Sequence, residues 1–210
     1  MTIDRKLVRR LVLFGTPLLY VVLGVLHPNP DPDLGDPTGL FIGLHVGQLF
    51  LIAGLACSIW LLVEGIESRA ATVARALILP YVILYTTLDA VAGIAMGTVV
   101  REANALPAAD QAVAGRLIDG VREEDVSGYV FYFTTSLVWL AAIVAVAVAL
   151  RKRAPWPALA LLVVGAAVFG IAHPQPTGPI GMTLFLAGVV WLERSREAAR
   201  SPQAVSAQPV

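Results

Sequence analysis

The residues of this chain best suited to chemistry are its three histidines, each of which lies in or beside an apolar segment. His27 and His173 both precede a Pro-x-Pro sequence, and His45 falls inside the apolar run from Gly39 to Val63. A histidine ring can bind a transition metal, hold a haem or exchange a proton near neutral pH. All three are therefore candidate site residues.

A single carboxylate in the middle of another apolar run is the sharper functional signal. Asp89 lies 13 residues after Ala76, in a run that ends at Val100. Inside a membrane such a carboxylate costs at least about 2.5 kcal/mol, so it should be neutral, paired or directed into a polar cavity. The alternative is an aspartic acid that only holds helices together by hydrogen bonding.

Depth in the membrane predicts which polar residues lie near Asp89. His45 has a similar depth in its own run, and Gln48 and Tyr85 lie on the same predicted helix faces, about one turn from His45 and Asp89. Thr134, Thr135 and Ser136 could close the site, although threonines in spans often bond their own backbone. The predicted polar site, in the outer half of the membrane, consists of Asp89, His45, Gln48, Tyr85, His27 and His173.

Whether this site holds a cofactor stays open at the level of sequence. Three imidazoles and a carboxylate are suitable metal ligands, but Asp89 is expected to lie more than one helical turn deeper than the two His-Pro corners, so no metal ligands are assigned. A haem needs axial ligands on facing helices, and no spacing here fixes their separation. Proline also ends helices, so both His-Pro motifs can be explained as helix stops without any chemistry.

The elements that must position these residues are membrane-spanning helices. The chain is 57% hydrophobic and only 14% charged, and its mean hydropathy is +0.76, unlike a soluble domain. A span needs about 20 apolar residues, and six segments come near this. They run from Leu7 or Leu11 to His27, Gly39 to Val63, Ala76 to Val100, Ser127 to Leu150, Trp156 to Ala172 and Gly178 to Leu192, the last two being short.

The predicted fold class is therefore an all-α polytopic membrane protein with about six transmembrane helices in three hairpins. One helical bundle covers residues 1–193, and a disordered cytoplasmic tail covers residues 194–210. Between the third and fourth spans, Val113, Leu117 and Val121 are spaced four residues apart, which predicts a short amphipathic helix near residues 107–122 on the outer surface.

The basic residues that flank the six predicted spans lie mostly on one side of the membrane, which predicts a single orientation. Twelve of the 15 Lys and Arg residues lie before the first span, between spans two and three, between spans four and five, or after span six. Basic residues near span ends stay on the cytoplasmic side, so both termini are predicted to be cytoplasmic in a bacterial cytoplasmic membrane. The net charge is zero, which gives no indication of nucleic-acid binding.

Glycines and a short internal similarity suggest how the helices pack. Gly39, Gly43 and Gly47 form one stripe, and Gly93 and Gly97 form another, so close helix contacts or a homodimer through a glycine-lined face are predicted. The sequences from residue 22 to 30 and from 168 to 176 resemble each other and each carries a His-Pro motif. This similarity is consistent with a parallel repeat of helical hairpins.

Spans two and three, with Leu44 to Leu49 and Tyr85 to Gly97, resemble uncharacterised multi-spanning bacterial membrane proteins, a resemblance that implies a membrane location and no activity. The motifs of zinc proteases, serine hydrolases and P-loop enzymes do not occur in the sequence. Three hypotheses remain. The protein binds or moves a small solute or a proton through the polar site, it is a structural or accessory membrane subunit, or it is a haem- or metal-dependent membrane oxidoreductase.

Overall fold

A computed structural model describes residues 4–28, 32–122, 130–171 and 173–200. The fold is all-helical, with 84% helix and no strand in the described part of the chain. The described residues form seven helices: α1 (Arg5–Leu26), α2 (Gly39–Leu62), α3 (Arg69–Asn104), α4 (Ala108–Arg122), α5 (Phe131–Leu150), α6 (Trp156–Phe169) and α7 (Thr177–Arg200).

Six of these helices form a closed ring. Helix α1 packs against α2, α2 against α3, α3 against α5, α5 against α6 and α6 against α7, which returns to α1. The interior of the ring is filled by aromatic and aliphatic side chains, among them Tyr20, Ile52, Tyr81, Trp139 and Phe185. Helix α4 stands apart from the ring and packs on the C-terminal end of α3.

Four helices, α1, α2, α3 and α5, are long and apolar enough to cross a membrane. Helix α6 is apolar but has only 14 residues. Helix α7 has 24 residues, but charged side chains begin at Glu193, which limits its apolar length. The structure is thus compatible with a membrane protein.

The observed helix boundaries differ from the predicted ones, most at the start of α3 and at the end of α7. Helix α3 begins at Arg69 instead of Ala76, because the hydroxyl of Ser68 caps it by accepting a hydrogen bond from the Ala71 amide. Helix α7 continues past Leu192 to Arg200, so residues 194–200 of the predicted tail are helical. The rest of the tail and the predicted start of the fourth span at Ser127 lie outside the described residues.

Among the described helices, α1 and α3 contain internal π-helical stretches, in which one turn holds an extra residue. The stretch Leu11–Gly15 interrupts α1, and Asp89–Ala95 interrupts α3. Such stretches alter which side chains share a face and occur often at functional sites. The second one begins at the residue that sequence analysis selects for its buried carboxylate.

Charged side chains gather at one end of the ring, which we call the basic end and which includes Arg5, Arg9, Arg153 and Arg196. Arg9 donates to both carboxylate oxygens of Glu193, at 3.0 and 2.9 Å, and Arg196 donates to the same residue at 2.8 Å. The basic end therefore ties α1 to α7 through one shared carboxylate.

A helix does occupy the segment near 107–122 that sequence analysis assigns to an outer amphipathic helix. In α4, Ile118 is buried beside Leu34 and the end of α3, whereas the stripe of Val113, Leu117 and Val121 is exposed. The loop before α2 is fixed to the same place, since Asn104 accepts from the Gly35 amide at 2.7 Å. Helix α4 and this loop thus pack together on the end of α3, at the end of the ring opposite the basic end.

Some glycines lie close against a neighbouring helix, and others have free space beside them. A Cβ atom at Gly97 would lie 2.8 Å from Ile42, so this part of α3 fits closely against α2. Gly39, Gly43 and Gly47 have nothing within 4 Å of such an atom. Within the described part of the chain, no other helix approaches this stripe on α2 closely. A homodimer contact through it stays a prediction.

Candidate metal centre

The three histidines converge inside the ring, at the end opposite the basic end. His27 follows α1, His45 lies on α2, and His173 lies in the connection between α6 and α7. One ring nitrogen from each of them lies within 4.8 Å of the others. Residues separated by 128 and 146 positions in the sequence thus meet at a single point.

The backbone conformation that ends α1 fixes the position of His27. Its backbone has an extended ψ of 126°, which ends the helix, and Pro28 cannot continue it. The ring Nδ1 lies 2.6 Å from the Pro28 carbonyl oxygen. Since a carbonyl oxygen only accepts, Nδ1 carries the proton and donates, and the lone pair is left on Nε2.

His45 is oriented in the same way from within α2. Its Nδ1 donates to the Phe41 carbonyl oxygen at 2.8 Å, so its Nε2 also carries a lone pair. The ring lies against Gly93 of α3, where any Cβ atom would overlap the imidazole. A glycine at this position is what lets a buried histidine fit between two packed helices.

The two lone pairs face each other. The Nε2 atoms of His27 and His45 are 3.4 Å apart, and both side chains are buried. Two neutral imidazoles in this arrangement repel each other unless a proton or a cation lies between them. Two nitrogens bound at ~2.0–2.1 Å to one tetrahedral ion would lie about 3.3–3.4 Å apart, which agrees with the observed separation.

His173 completes the cluster through a closely packed backbone. Its carbonyl oxygen occupies the space that a Cβ atom at Gly178 would need, and it would lie 3.2 Å from a Cβ atom at Gly24. The ring Nε2 is buried and has no hydrogen-bond partner in the described chain. One of its ring nitrogens lies within 4.8 Å of a ring nitrogen of each of the other two histidines, so His173 can supply a third ligand.

Asp89 borders the cluster from α3, at the first residue of its π-helical stretch. Its Oδ1 lies 3.9 Å from the Nε2 of His45, while its buried Oδ2 has no partner among the described residues. The expected difference in depth therefore does not keep Asp89 away from the histidines. The His-Pro corners turn into the ring and reach the level of His45, six residues inside α2.

The arrangement of the rings disfavours a haem between the histidines. His27 lies edge to face against His45 and His173, with ring centroids 5.0 Å apart in each pair, and His45 and His173 are 5.9 Å apart. A porphyrin would have to separate two of these rings and displace the third. The geometry suits a single small ion.

The remaining predicted residues lie beneath or beside the cluster. Gln48 donates to the hydroxyl of Tyr85 at 3.4 Å, one layer deeper in the ring. Thr134 and Thr135 donate to carbonyl oxygens of their own helix, at 2.7 and 2.6 Å, as threonines in spans often do. These groups contribute polarity near the site and do not reach the point where the histidines meet.

The supporting role of Gly24 and Gly178 was not predicted from the sequence, because these residues do not belong to either glycine stripe. Their role depends on the path of the His173 backbone, which only the folded chain defines. The proximity of Gly24 to His27 and of Gly178 to His173 along the chain was the available signal.

No protein-family model, curated protein or solved structure matches this chain.

Proposed function

We propose that this protein binds one divalent transition-metal ion of the zinc type inside a six-span helical bundle of the bacterial cytoplasmic membrane. The ligands would be His27, His45 and His173, with Asp89 as a fourth ligand or as a base for a bound water. One observation carries the proposal, namely the two buried Nε2 atoms of His27 and His45 3.4 Å apart, with a ring nitrogen of His173 in the same cluster, within 4.8 Å.

Ligand chemistry favours zinc over harder ions. Neutral imidazoles suit zinc and its neighbours among the transition metals, whereas magnesium and calcium prefer oxygen. Both Nδ1 atoms donate to backbone carbonyls, which is how metal-binding histidines are commonly oriented by a second layer of contacts. Three protein ligands and one exchangeable position are typical of catalytic zinc, which lowers the pKa of its bound water.

The distribution of charge supports the proposed orientation. The basic end carries both described chain ends, at Arg5 and in the last turns of α7, and the histidine cluster lies at the other end. With the positive end in the cytoplasm, the cluster would lie in the outer half of the membrane, near the extracytoplasmic surface.

Metal analysis tests the proposal directly. We expect the detergent-purified protein, supplied with zinc and then desalted, to retain about one zinc ion per chain. His45→Ala and His173→Ala should each reduce this content by at least tenfold. Asp110→Asn, a carboxylate removed from the exposed surface of α4, is the control and should retain zinc. Equal zinc content in the two histidine variants and the control would refute the proposed centre.

A shared proton is the second candidate occupant, and it is favoured by the contact between Asp89 and His45. In that case the site would exchange protons or bind a small polar solute, and Asp89→Asn would remove a pH-dependent signal of the His45 ring in NMR spectra of metal-free protein. A metal-free wild type with a titrating His45 that Asp89→Asn abolishes would support this candidate over zinc.

A further inference from the structure

The basic end of the ring contains a cavity that is separate from the histidine cluster. It has a volume of about 730 Å³, within the ~300–1,000 Å³ usual for small-molecule sites. Five of its nine lining residues are basic and two are acidic, so the cavity as a whole attracts anions. The lining consists of Asp4, Arg5, Lys6, Arg9, Glu64, Ile66, Leu150, Arg153 and Arg196.

Carboxylates neutralise three of the basic groups. Glu64 pairs with Arg5 and Arg9. Glu193, which is not part of the lining, pairs with Arg9 and Arg196. These three arginines are therefore committed to contacts within the protein and form one wall of the cavity.

Hydrogen bonds to the backbone fix this wall in place. Arg9 donates to the Leu61 carbonyl oxygen at 3.0 Å, and Arg196 donates to the Leu62 carbonyl oxygen at 2.8 Å. Both carbonyls belong to the last turn of α2. The arginines thus connect α1 and α7 to the end of α2 without a ligand, and little rearrangement is needed for the cavity to bind one.

Two other basic side chains of the lining, Lys6 and Arg153, have no carboxylate partner among the described residues. Asp4 caps α1 by accepting from the Lys6 backbone amide at 2.8 Å. Arg153 lies in the turn that ends α5, where its amide donates to the Leu150 carbonyl oxygen at 2.7 Å. One cavity therefore has two unpaired cations on its lining, contributed by helices that are far apart in the sequence.

A phosphate group is the anion that these two side chains suit. A guanidinium forms paired hydrogen bonds with phosphate oxygens, and a lysine ammonium binds phosphate as a point charge. Phosphate has several acceptor oxygens, so one group can bind both cations. In the proposed orientation this end of the ring faces the cytoplasm, where basic pockets between membrane helices bind the headgroups of anionic lipids.

We propose that the cavity at the basic end binds a phosphate group through Lys6 and Arg153. Two sources have this chemistry, namely the headgroup of an anionic phospholipid and free phosphate in the cytoplasm. The position of the cavity at one end of an apolar helical ring favours the lipid. The proposal does not depend on the metal centre, which lies at the opposite end of the ring.

Isothermal titration of the protein in a neutral detergent tests the proposal with three probes. They are dioctanoyl phosphatidylglycerol, dioctanoyl phosphatidylcholine, which has the same acyl chains but no net charge, and inorganic phosphate. We expect phosphatidylglycerol to bind at about one molecule per chain. A double variant with Lys6→Gln and Arg153→Gln should weaken this binding by about tenfold or more, because both unpaired cations are lost.

The matched control is a double variant with Arg151→Gln and Lys152→Gln. It removes the same charge from exposed residues next to Arg153, and neither residue lines the cavity. Lys6 and Arg153 are themselves exposed, so the folded state should tolerate both double variants. Circular dichroism would check that their helix content equals that of the wild type.

The probes distinguish the two sources of phosphate. Tight binding of phosphatidylglycerol alone, weakened only in the Lys6 and Arg153 double variant, would support the lipid headgroup. The same loss with inorganic phosphate, bound as tightly as phosphatidylglycerol, would support free phosphate. Equal binding of the two lipids, equal affinity in the two double variants, or no binding of any probe would overturn the proposal. None of these results depends on zinc content, so this inference and the proposed function can fail separately.

Discussion

Gly93 is the residue on which the position of His45 depends. A methyl group there would overlap the imidazole ring, because α2 and α3 leave no other space for it. We expect Gly93→Ala to lower zinc affinity by about 10- to 100-fold, as loss of an orienting contact commonly does. Isothermal titration of the detergent-solubilised protein with zinc would measure the change.

The matched control is Gly47→Ala, a glycine on α2 whose Cβ atom would meet nothing within 4 Å. It should bind zinc as the wild type does. If both alanine variants bind zinc equally well, His45 does not need the space that Gly93 leaves and is not held where the structure places it.

For single residues, the sequence predicts that Asp89 and His45 are neighbours, but it does not predict the point at which the histidines meet. The proximity of Asp89 to His45 follows from their similar depths in two runs that are adjacent in the sequence. The approach of His27 and His173 does not follow, because it requires α7 to return to α1 and close the ring. Closure depends on side-chain packing across the whole bundle, which periodicity in one segment cannot reveal.

Among the helices, the pair α6 and α7 has the closest backbone contact. A Cβ atom at Gly165 would lie 2.5 Å from the Phe185 amide nitrogen, and one at Gly181 would overlap the backbone of Phe169. Backbone atoms cannot move aside as a flexible side chain can. We expect Gly165→Ala to destabilise the protein by about 1–3 kcal/mol, the usual cost of overpacking.

Thermal unfolding in detergent would measure this effect. Gly43→Ala, on the open stripe of α2, should leave the melting temperature nearly unchanged or raise it slightly, because alanine favours helix. A Gly165→Ala variant as stable as Gly43→Ala would show that α6 and α7 do not pack as closely as the structure describes.

Helix existence could be predicted from the apolar runs, since each predicted span coincides with a helix in the described chain. The additional length of α3 and α7 could not be predicted from the apolar runs, because it depends on polar contacts. Ser68 caps α3, and the charged last turns of α7 are held by Arg9 and Arg10 of α1. Hydropathy reports only the apolar part of a helix, so a helix predicted from it stops where charged residues begin.

The basic end makes the stability of the whole molecule sensitive to acid. Burial alone would raise the pKa of Glu193, but the hydrogen bonds and charge of Arg9, together with the charge and hydrogen bond of Arg196, hold the pKa below its ordinary value. A lowered pKa in the folded state means that the stabilisation is complete above about pH 4.3, the ordinary value for Glu. It is lost as the pH falls through the folded pKa.

We therefore expect the melting temperature to fall when the pH is lowered below about 4.3, and Glu193→Gln to lose part of this dependence together with about 1–3 kcal/mol of stability at pH 7. Glu102→Gln is the control, because its pair with Arg101 is exposed. Identical pH profiles for wild type and Glu193→Gln would show that this carboxylate does not link α1 to α7.

The proposed orientation in the membrane determines which compartment would supply the proposed metal centre. In the proposed orientation, with the basic end in the cytoplasm, Asp110 on α4 should face outward and Lys152, between α5 and α6, should face inward. Both residues are exposed. With the single native cysteine removed by Cys57→Ser, an Asp110→Cys variant should react with a membrane-impermeant maleimide in intact cells. A Lys152→Cys variant should react only after the cells are opened.

Labelling of the Lys152→Cys variant in intact cells, with Asp110→Cys protected, would reverse the orientation, and the histidine cluster would then open toward the cytoplasm. Zinc would then have to be supplied from the cytoplasmic pool. The ligand geometry would be unaffected, because the ring of helices defines it without reference to either side of the membrane. Orientation and metal binding are thus separate properties of the same fold, and each can fail without the other.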